Sequence, residues 1–317
     1  MNCRKSLGNV MPLNVLLRAA QEGVYAVGSF SPRCTPLIRP ILRAAKKAGA
    51  PVVVQISQRE LERYGVSLAA FAERFYTYLV EDDVEVPAVL HLDHTKDFHL
   101  IAAAIECGFT SVMIDASEFP LAENAARTSK VVAYAHPRGV SVEAELGRIG
   151  STDSIETEHQ RELLTDPEEA QWFAAATQVD ALAVSVGTAH GAYMGRKPEI
   201  DYERIKQIRT LTPVPLVLHG GSGVPQEMIR AAVALPGGGI SKVNFATDLE
   251  LAFLAAVGRT ERLTERECRE LSPAVLDRGL RAVEIVVEEK IVHYLGSAGR
   301  GRMLLIDTDL GGNACEA

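Results

Sequence analysis

Asp93 and His94 stand side by side in the stretch HLDHTKDF (91–98), just past the apolar run 86–92. An acid beside a cation stays ionised and is placed to exchange protons with a substrate held there. Two further histidines occupy a similar setting: His190 in GTAHGAY (187–193) and His219 in LHGGSG (218–223). Each lies at or just past the end of an apolar run, and each of these two is followed by glycine. Three neutral imidazoles converging on one point suit Zn²⁺, and three protein ligands with an open position describe a catalytic site. The alternative for any single histidine is a satisfied core or surface residue, and His99, His136, His159 and His293 are read that way. Glu143 and Glu145 share one face by the two-residue period of a strand, so inward-pointing carboxylates must be paired or metal-bound; a structural salt bridge is the alternative for either. For Asp93 the alternative is a helix N-cap, although Thr95 and Asp97 are available for that task.

Such residues are useful only if distant parts of the chain bring them together. Eight short apolar runs recur: YAVGSF (25–30), PVVVQIS (51–57), PAVLHLDH (87–94), TSVMIDAS (110–117), VSVEAELG (140–147), ALAVSVG (181–187), VPLVLHGG (214–221) and ISKVNFAT (240–247). Amphipathic stretches such as LIRPILRAAKKAGA and EEAQWFAAATQ lie between them. Strands alternating with helices imply βαβ units and a parallel sheet. Eight units in about 250 residues fit a (β/α)8 TIM barrel better than an open doubly wound sheet, which counting alone does not exclude. DLELAFLAAV and the segment 273–295 then read as the last barrel helix and an added C-terminal helix. No linker composition interrupts the chain, so one domain is expected over 1–317, with 301–317 a loose tail.

In a barrel the C-terminal strand ends form one rim, where active sites sit. Ser57, Asp93, His94, Asp115, Ser117, Glu143, Glu145, His190, His219 and Asn244 all fall there. His91, two residues before Asp93, is read as barrel filling. The loops HGGSG (219–223) and VGTAHG (186–191) offer unobstructed backbone N–H groups, and NFATD (244–248) leads into a helix start. The loops after strands 7 and 8 are where barrels bind phosphate, although glycine clusters also serve as plain tight turns.

Composition sets the outer bounds. The formal net charge of −8, with no block of Lys or Arg, argues against nucleic acid as a partner. An anionic substrate would be held by local groups. Five scattered cysteines (Cys3, Cys34, Cys107, Cys268, Cys315) form no CxxC pair, so neither a disulfide framework nor a thiolate zinc site is expected, and a reducing cytoplasm is. No apolar segment long enough for a leader follows the N-terminal basic residues, and no run approaches a membrane span, so no membrane association is expected.

HLDH, VEAELGRIG, GTAHGAY, LHGGSGVP and KVNFATDLELAF, in this order, resemble the metal-dependent class II ketose-bisphosphate aldolases, those of the tagatose and fructose type above all. The likeness runs from about Asn14 to Arg300. It implies a (β/α)8 barrel and reversible aldol cleavage of a ketose 1,6-bisphosphate to dihydroxyacetone phosphate and an aldehyde. By matching motif, the resemblance implies His94, His190 and His219 as zinc ligands, with Glu145 able to ligate the metal in an alternative position. It implies Asp93 as the acid that handles the hydroxyl proton at the carbon–carbon bond being broken. Gly191, Gly220, Gly221, Ser222 and Thr247, and less closely Ser57, match the phosphate site; Asn244 matches a contact to the carbon skeleton. Arg300 matches an arginine that reaches a neighbouring subunit's second phosphate, which implies a homodimer or homotetramer. A monovalent cation, Na⁺ or K⁺, near these loops and a divalent metal other than zinc are also within the family's range. The chemistry is consistent: cleavage leaves an enediolate whose charge needs an electrophile, and imidazole ligands leave Zn²⁺ its positive charge.

Three departures stand out. The first strand of the family ends in Phe–Asn, whereas Phe30–Ser31 stands here, followed by Pro32 and Arg33. The loop after the fifth strand carries Asp153 where the family has its proton-abstracting glutamate, with Glu156 close by. GRTERLTERE (258–267) is unusually charged. These changes keep open an aldolase for another ketose phosphate, or a catalytically silent metal-binding member. A zinc hydrolase on the same barrel would ordinarily carry an HxH pairing, which the sequence lacks.

Overall fold

The computed structural model describes residues 7–151, 163–191, 193 and 197–301. Asp153, Glu156 and the expected tail beyond Gly301 lie outside the described residues. Each of the eight apolar runs holds a strand: β1 (Val27–Phe30), β2 (Val52–Ser57), β3 (Ala88–Thr95), β4 (Ser111–Ile114), β5 (Ser141–Leu146), β6 (Ala181–Val184), β7 (Leu216–Leu218) and β8 (Ile240–Phe245). Every strand pairs in parallel with its sequence neighbours, and β8 returns to β1, so the sheet closes into a barrel. The open-sheet alternative is thereby excluded. All strand residues are buried, because helices cover the outer face and side chains fill the inner one. That double burial makes the runs near-continuously apolar instead of alternating.

The helices show why the sequence breaks where it does. Ile38–Ala48 buries Ile38, Ile41, Leu42 and Ala45 against the sheet and ends at Gly49, whose φ of 60° is left-handed. Phe98–Glu106 starts at Asp97, which accepts from the His99 amide at 2.8 Å. Asp97 therefore performs the capping, and Asp93 is left for the rim. Thr247–Val257 and Pro273–Glu289 follow β8, with a short helix Glu265–Glu270 between them. The longer C-terminal helix passes into a π-helical turn, Lys290–Leu295.

The sequence reading does not anticipate the helix Leu13–Gly23, which closes the barrel floor. Its Leu13, Leu16 and Leu17 pack under Val27, Val53, Val89, Met113, Ala183 and Val217, the inward residues of the lower strands. The barrel interior is thus layered. Apolar residues fill the floor, and polar ones (His91, Asp93, Glu143, Glu145, Lys242, Asn244) occupy the upper half.

Two of the three departures prove to be one packed unit. Arg33, with φ of 62°, turns its buried guanidinium to Glu60 at 3.1 Å and to Glu250. Arg262, from the charged stretch, meets the same Glu250 at 3.0 Å. Thr35 bonds Glu265 through its amide at 2.7 Å and its hydroxyl at 2.5 Å. Cys34 and Cys268 are both buried, and their mutual hydrogen bond, together with burial, pushes the Cys34 thiol up, so it stays protonated.

Candidate active site

Asp93 and His94 are consecutive, so a regular strand would send them to opposite faces. β3 solves this with a bulge. Its pairing to β4 runs Leu92 with Val112 and then Thr95 with Ile114, so one extra residue is accommodated between them. His94 takes φ of 26°, an uncommon value for a residue with a side chain. The strand runs on through Thr95, and both side chains reach the rim.

There the three imidazoles converge. The ligand nitrogens of His94, His190 and His219 all lie within 4.8 Å of one another, and all three residues are buried. His94 Nε2 stands 2.7 Å from His219 Nδ1 and 3.2 Å from His190 Nε2. The outer ring nitrogens of His94 and His219 are engaged elsewhere. His94 Nδ1 donates to Asp115 Oδ2 at 3.0 Å, and His219 Nε2 donates to Glu143 Oε1 at 2.8 Å. Carboxylates only accept, so these bonds place protons on His94 Nδ1 and His219 Nε2, and His94 Nε2 and His219 Nδ1 face each other across a gap that one proton or one metal ion can bridge. Burial and the positive charge shared among the rings push His190 and His219 down, whereas the carboxylates of Asp93 and Asp115 overcome burial and raise His94 to about 10. The cluster favours one positive charge and resists a second.

Glu145 supports the same conclusion. Its Oε2 is buried with no hydrogen-bond partner and lies 3.9 Å from His94 Nδ1. Burial and the neighbouring Asp115 push this carboxyl up to about 8, so a nearby cation would ionise it. Three imidazole donors, an orphaned carboxylate oxygen and carboxylates on the outer ring nitrogens fit a divalent metal. Glu143, the other candidate on β5, is also one half of a salt bridge, with Lys242 Nζ at 2.8 Å. That contact is the structural salt bridge offered above as the alternative for this residue.

Asp93 is held from three sides. Gln55 Nε2 donates to Oδ2 at 2.8 Å, Asn244 Nδ2 approaches both oxygens at 3.4 Å, and His91 Nε2 stands 3.5 Å from Oδ1. Burial alone would raise this carboxyl; the charge of His94 and the approach of His91 hold it well below the usual range. His91 does fill the barrel, as expected, and its Nε2 also stands between Asp93, at 3.5 Å, and Glu143, at 3.7 Å.

The glycine loops lie against the same rim. Gly191 and Gly220 take φ of 95° and 68°, and a Cβ on Gly220 would come within 2.3 Å of the Ala189 carbonyl. Gly221 donates its amide to Asn244 O, and its Cβ would strike Val243 and that same carbonyl. Ser222 Oγ accepts from the Ala246 and Asp248 amides at 3.2 Å, at the start of the helix after β8. Thr247 Oγ1, in that first turn, is buried and lacks a partner. Ser57 is already committed: it caps Gln58–Tyr64 in a reciprocal capping box with Glu60. Arg300 lies at the other end of the barrel, 5.5 Å over the Tyr25 ring, where Gly299 and Gly301 bond the carbonyls of Ala48 and Gly49 ahead of β2.

Sequence reasoning missed Gln55 and Lys242 and placed Asp115 on the rim without its role. Signals existed. Gln55 shares a face with Ser57 in an otherwise apolar run, and Lys242 shares one with Asn244.

A closed parallel barrel whose rim gathers three imidazoles, a buried acid and two glycine loops has the form of a barrel enzyme with a candidate metal centre. Residues 11–300 match the family described as fructose-bisphosphate aldolase class-II. The chain belongs to this family and is an aldolase, a carbon–carbon lyase. It is 37% identical over 309 residues to a fructose-bisphosphate aldolase of Helicobacter pylori, covering 90% of this chain and 97% of that protein. With a fructose-bisphosphate aldolase of Geobacillus stearothermophilus it shares 36% over 293 residues, 92% of this chain and 99% of the relative. The crystal structure of the YdjI aldolase from Escherichia coli K12 superposes with a TM-score of 0.77 at 29% identity, over 92% and 99% of the two chains.

Proposed function

We propose that the protein catalyses reversible cleavage of a ketose 1,6-bisphosphate of the fructose or tagatose type, giving dihydroxyacetone phosphate and an aldehyde phosphate. The observation that carries this reading is the meeting of His94, His190 and His219 beside an ionised Asp93. A divalent ion, Zn²⁺ in this proposal, would be held by those three histidines and would polarise the substrate carbonyl as a Lewis acid. Asp93 accepts the proton of the C4 hydroxyl as the C3–C4 bond breaks and C4 becomes the aldehyde carbon. The electron pair left on C3 spreads into the C2 carbonyl, and Asp153 or Glu156 returns a proton to C3. Asn244 orients the carbon skeleton; Gly191, Gly220, Gly221, Ser222 and Thr247 bind the phosphate of the dihydroxyacetone phosphate half. Glu145 offers the metal its alternative ligand. A monovalent cation by the glycine loops, a single catalytic domain in a homodimer or homotetramer completed by Arg300, and a cytoplasmic location belong to the same proposal. Among the described residues, no helix is long and apolar enough to cross a membrane.

The second reading, another ketose phosphate, draws on the rim after β1. Ser31 Oγ accepts from Gln55 at 3.1 Å, and Arg33 is consumed by Glu60 and Glu250, so neither presents the family's asparagine amide. Metal analysis with a substrate panel scored for dihydroxyacetone phosphate decides between them. One tightly bound zinc with cleavage of fructose or tagatose bisphosphate supports the first reading. The same zinc with cleavage of neither overturns that substrate and leaves the metal site standing.

A further inference from the structure

Lys242 lies in β8 with its side chain inside the barrel, wholly buried, and its ammonium donates to Glu143 Oε2 at 2.8 Å. The other Glu143 oxygen accepts from His219 Nε2 at 2.8 Å. One carboxylate thus ties a buried cation on β8 to an imidazole just past the end of β7. Neither Lys242 nor Glu143 has a part in the proposed chemistry. A buried ion pair adds little stability over apolar residues of similar volume, and the floor of this barrel is filled with such residues. What the pair does supply is direction. Glu143 can accept from His219 only if the ring proton is on Nε2, and that leaves Nδ1 as the nitrogen facing His94. Without Lys242, Glu143 would be a buried carboxylate with its Oε2 facing only His91 at 3.7 Å. It would then gain by turning away.

We infer that Lys242 is a positioning residue: it anchors Glu143 so that Glu143 holds His219 in the Nε2–H tautomer, with Nδ1 turned to the metal. This rests on the metal site proposed above and assigns it a support that reaches across the barrel interior. The test measures Zn²⁺ affinity of the full chain by competition with a chromophoric chelator, alongside the melting temperature in excess chelator. Lys242→Met and Glu143→Gln are each expected to weaken Zn²⁺ binding by about 10- to 100-fold. If Lys242 acts through Glu143, adding Lys242→Met to the Glu143→Gln protein changes the affinity little further. An ordinary structural salt bridge would lower the melting temperature and leave Zn²⁺ affinity within about twofold of wild type, and that result overturns the inference. Should Lys242→Met fail to fold, Glu143→Gln decides alone: unchanged affinity overturns it. Absence of Zn²⁺ binding by the wild-type protein would overturn the metal site itself, an outcome distinct from unchanged variants.

Discussion

At the scale of single residues, the proposed mechanism divides the site's labour between groups that would hold a cation and one that would move a proton. His190→Ala should abolish tight metal binding, measured as metal content after gel filtration; retention of one equivalent would show the ligand set to be wrong. Asp93→Asn keeps the shape and removes the acceptor. It should keep its metal and lose about 10²- to 10⁴-fold in kcat. The imidazoles and Asp93 were legible because each sits at a strand end, a position the hydrophobic pattern marks. Gln55 and Lys242 were not, because their importance lies in whom they face across the barrel. That depends on cross-strand register, such as Ser57 beside Asp93, which a single run of sequence does not reveal.

At the scale of elements, the eight strands and most helices could be read from period and breakers, but local departures from regularity could not. The run 87–94 suggests a strand that stops at the acid and the imidazole; instead β3 continues to Thr95 and bulges, and the positive φ of His94 has no marker in residue type. The floor helix Leu13–Gly23 escaped notice because no strand precedes it to start a βα unit. The segments around Arg33 and 258–267 read as separate oddities, although Arg33 and Arg262 meet on Glu250 and Thr35 bonds Glu265. Arg33→Met should therefore cost about 3–5 kcal/mol, because it leaves Glu60 in the interior without its cation and removes one of the two arginines on Glu250. Denaturant unfolding checks this, and a change below about 1 kcal/mol would mean the unit is not a structural clamp. Ser57→Ala should cost about 1 kcal/mol through the lost cap, whatever it does to phosphate binding.

At the scale of the whole molecule, the pattern of layers explains both stability and function: apolar floor, polar upper half, glycine-lined rim. Surface charge adds an acid-labile component. Burial would raise Asp82, but the hydrogen bonds from Arg39 and Arg43 hold it down at about 2 against an ordinary 3.8. A depressed acid stabilises the fold above its unfolded value and loses that contribution as pH falls through its folded one. Asp82→Asn should accordingly flatten the fall in stability between about pH 4 and pH 2, followed by unfolding at fixed denaturant. The interior lysine raises a rival route, Schiff-base aldol chemistry through Lys242. Its ammonium is wholly buried and bound to Glu143, which argues against that route. The most direct test of the metal-dependent account is dihydroxyacetone phosphate release from fructose 1,6-bisphosphate by the purified protein, before chelation, after it, and after Zn²⁺ is restored. The account predicts activity that falls at least about 100-fold with chelator and returns with Zn²⁺. Activity that survives chelation but is lost to borohydride in the presence of substrate would contradict it.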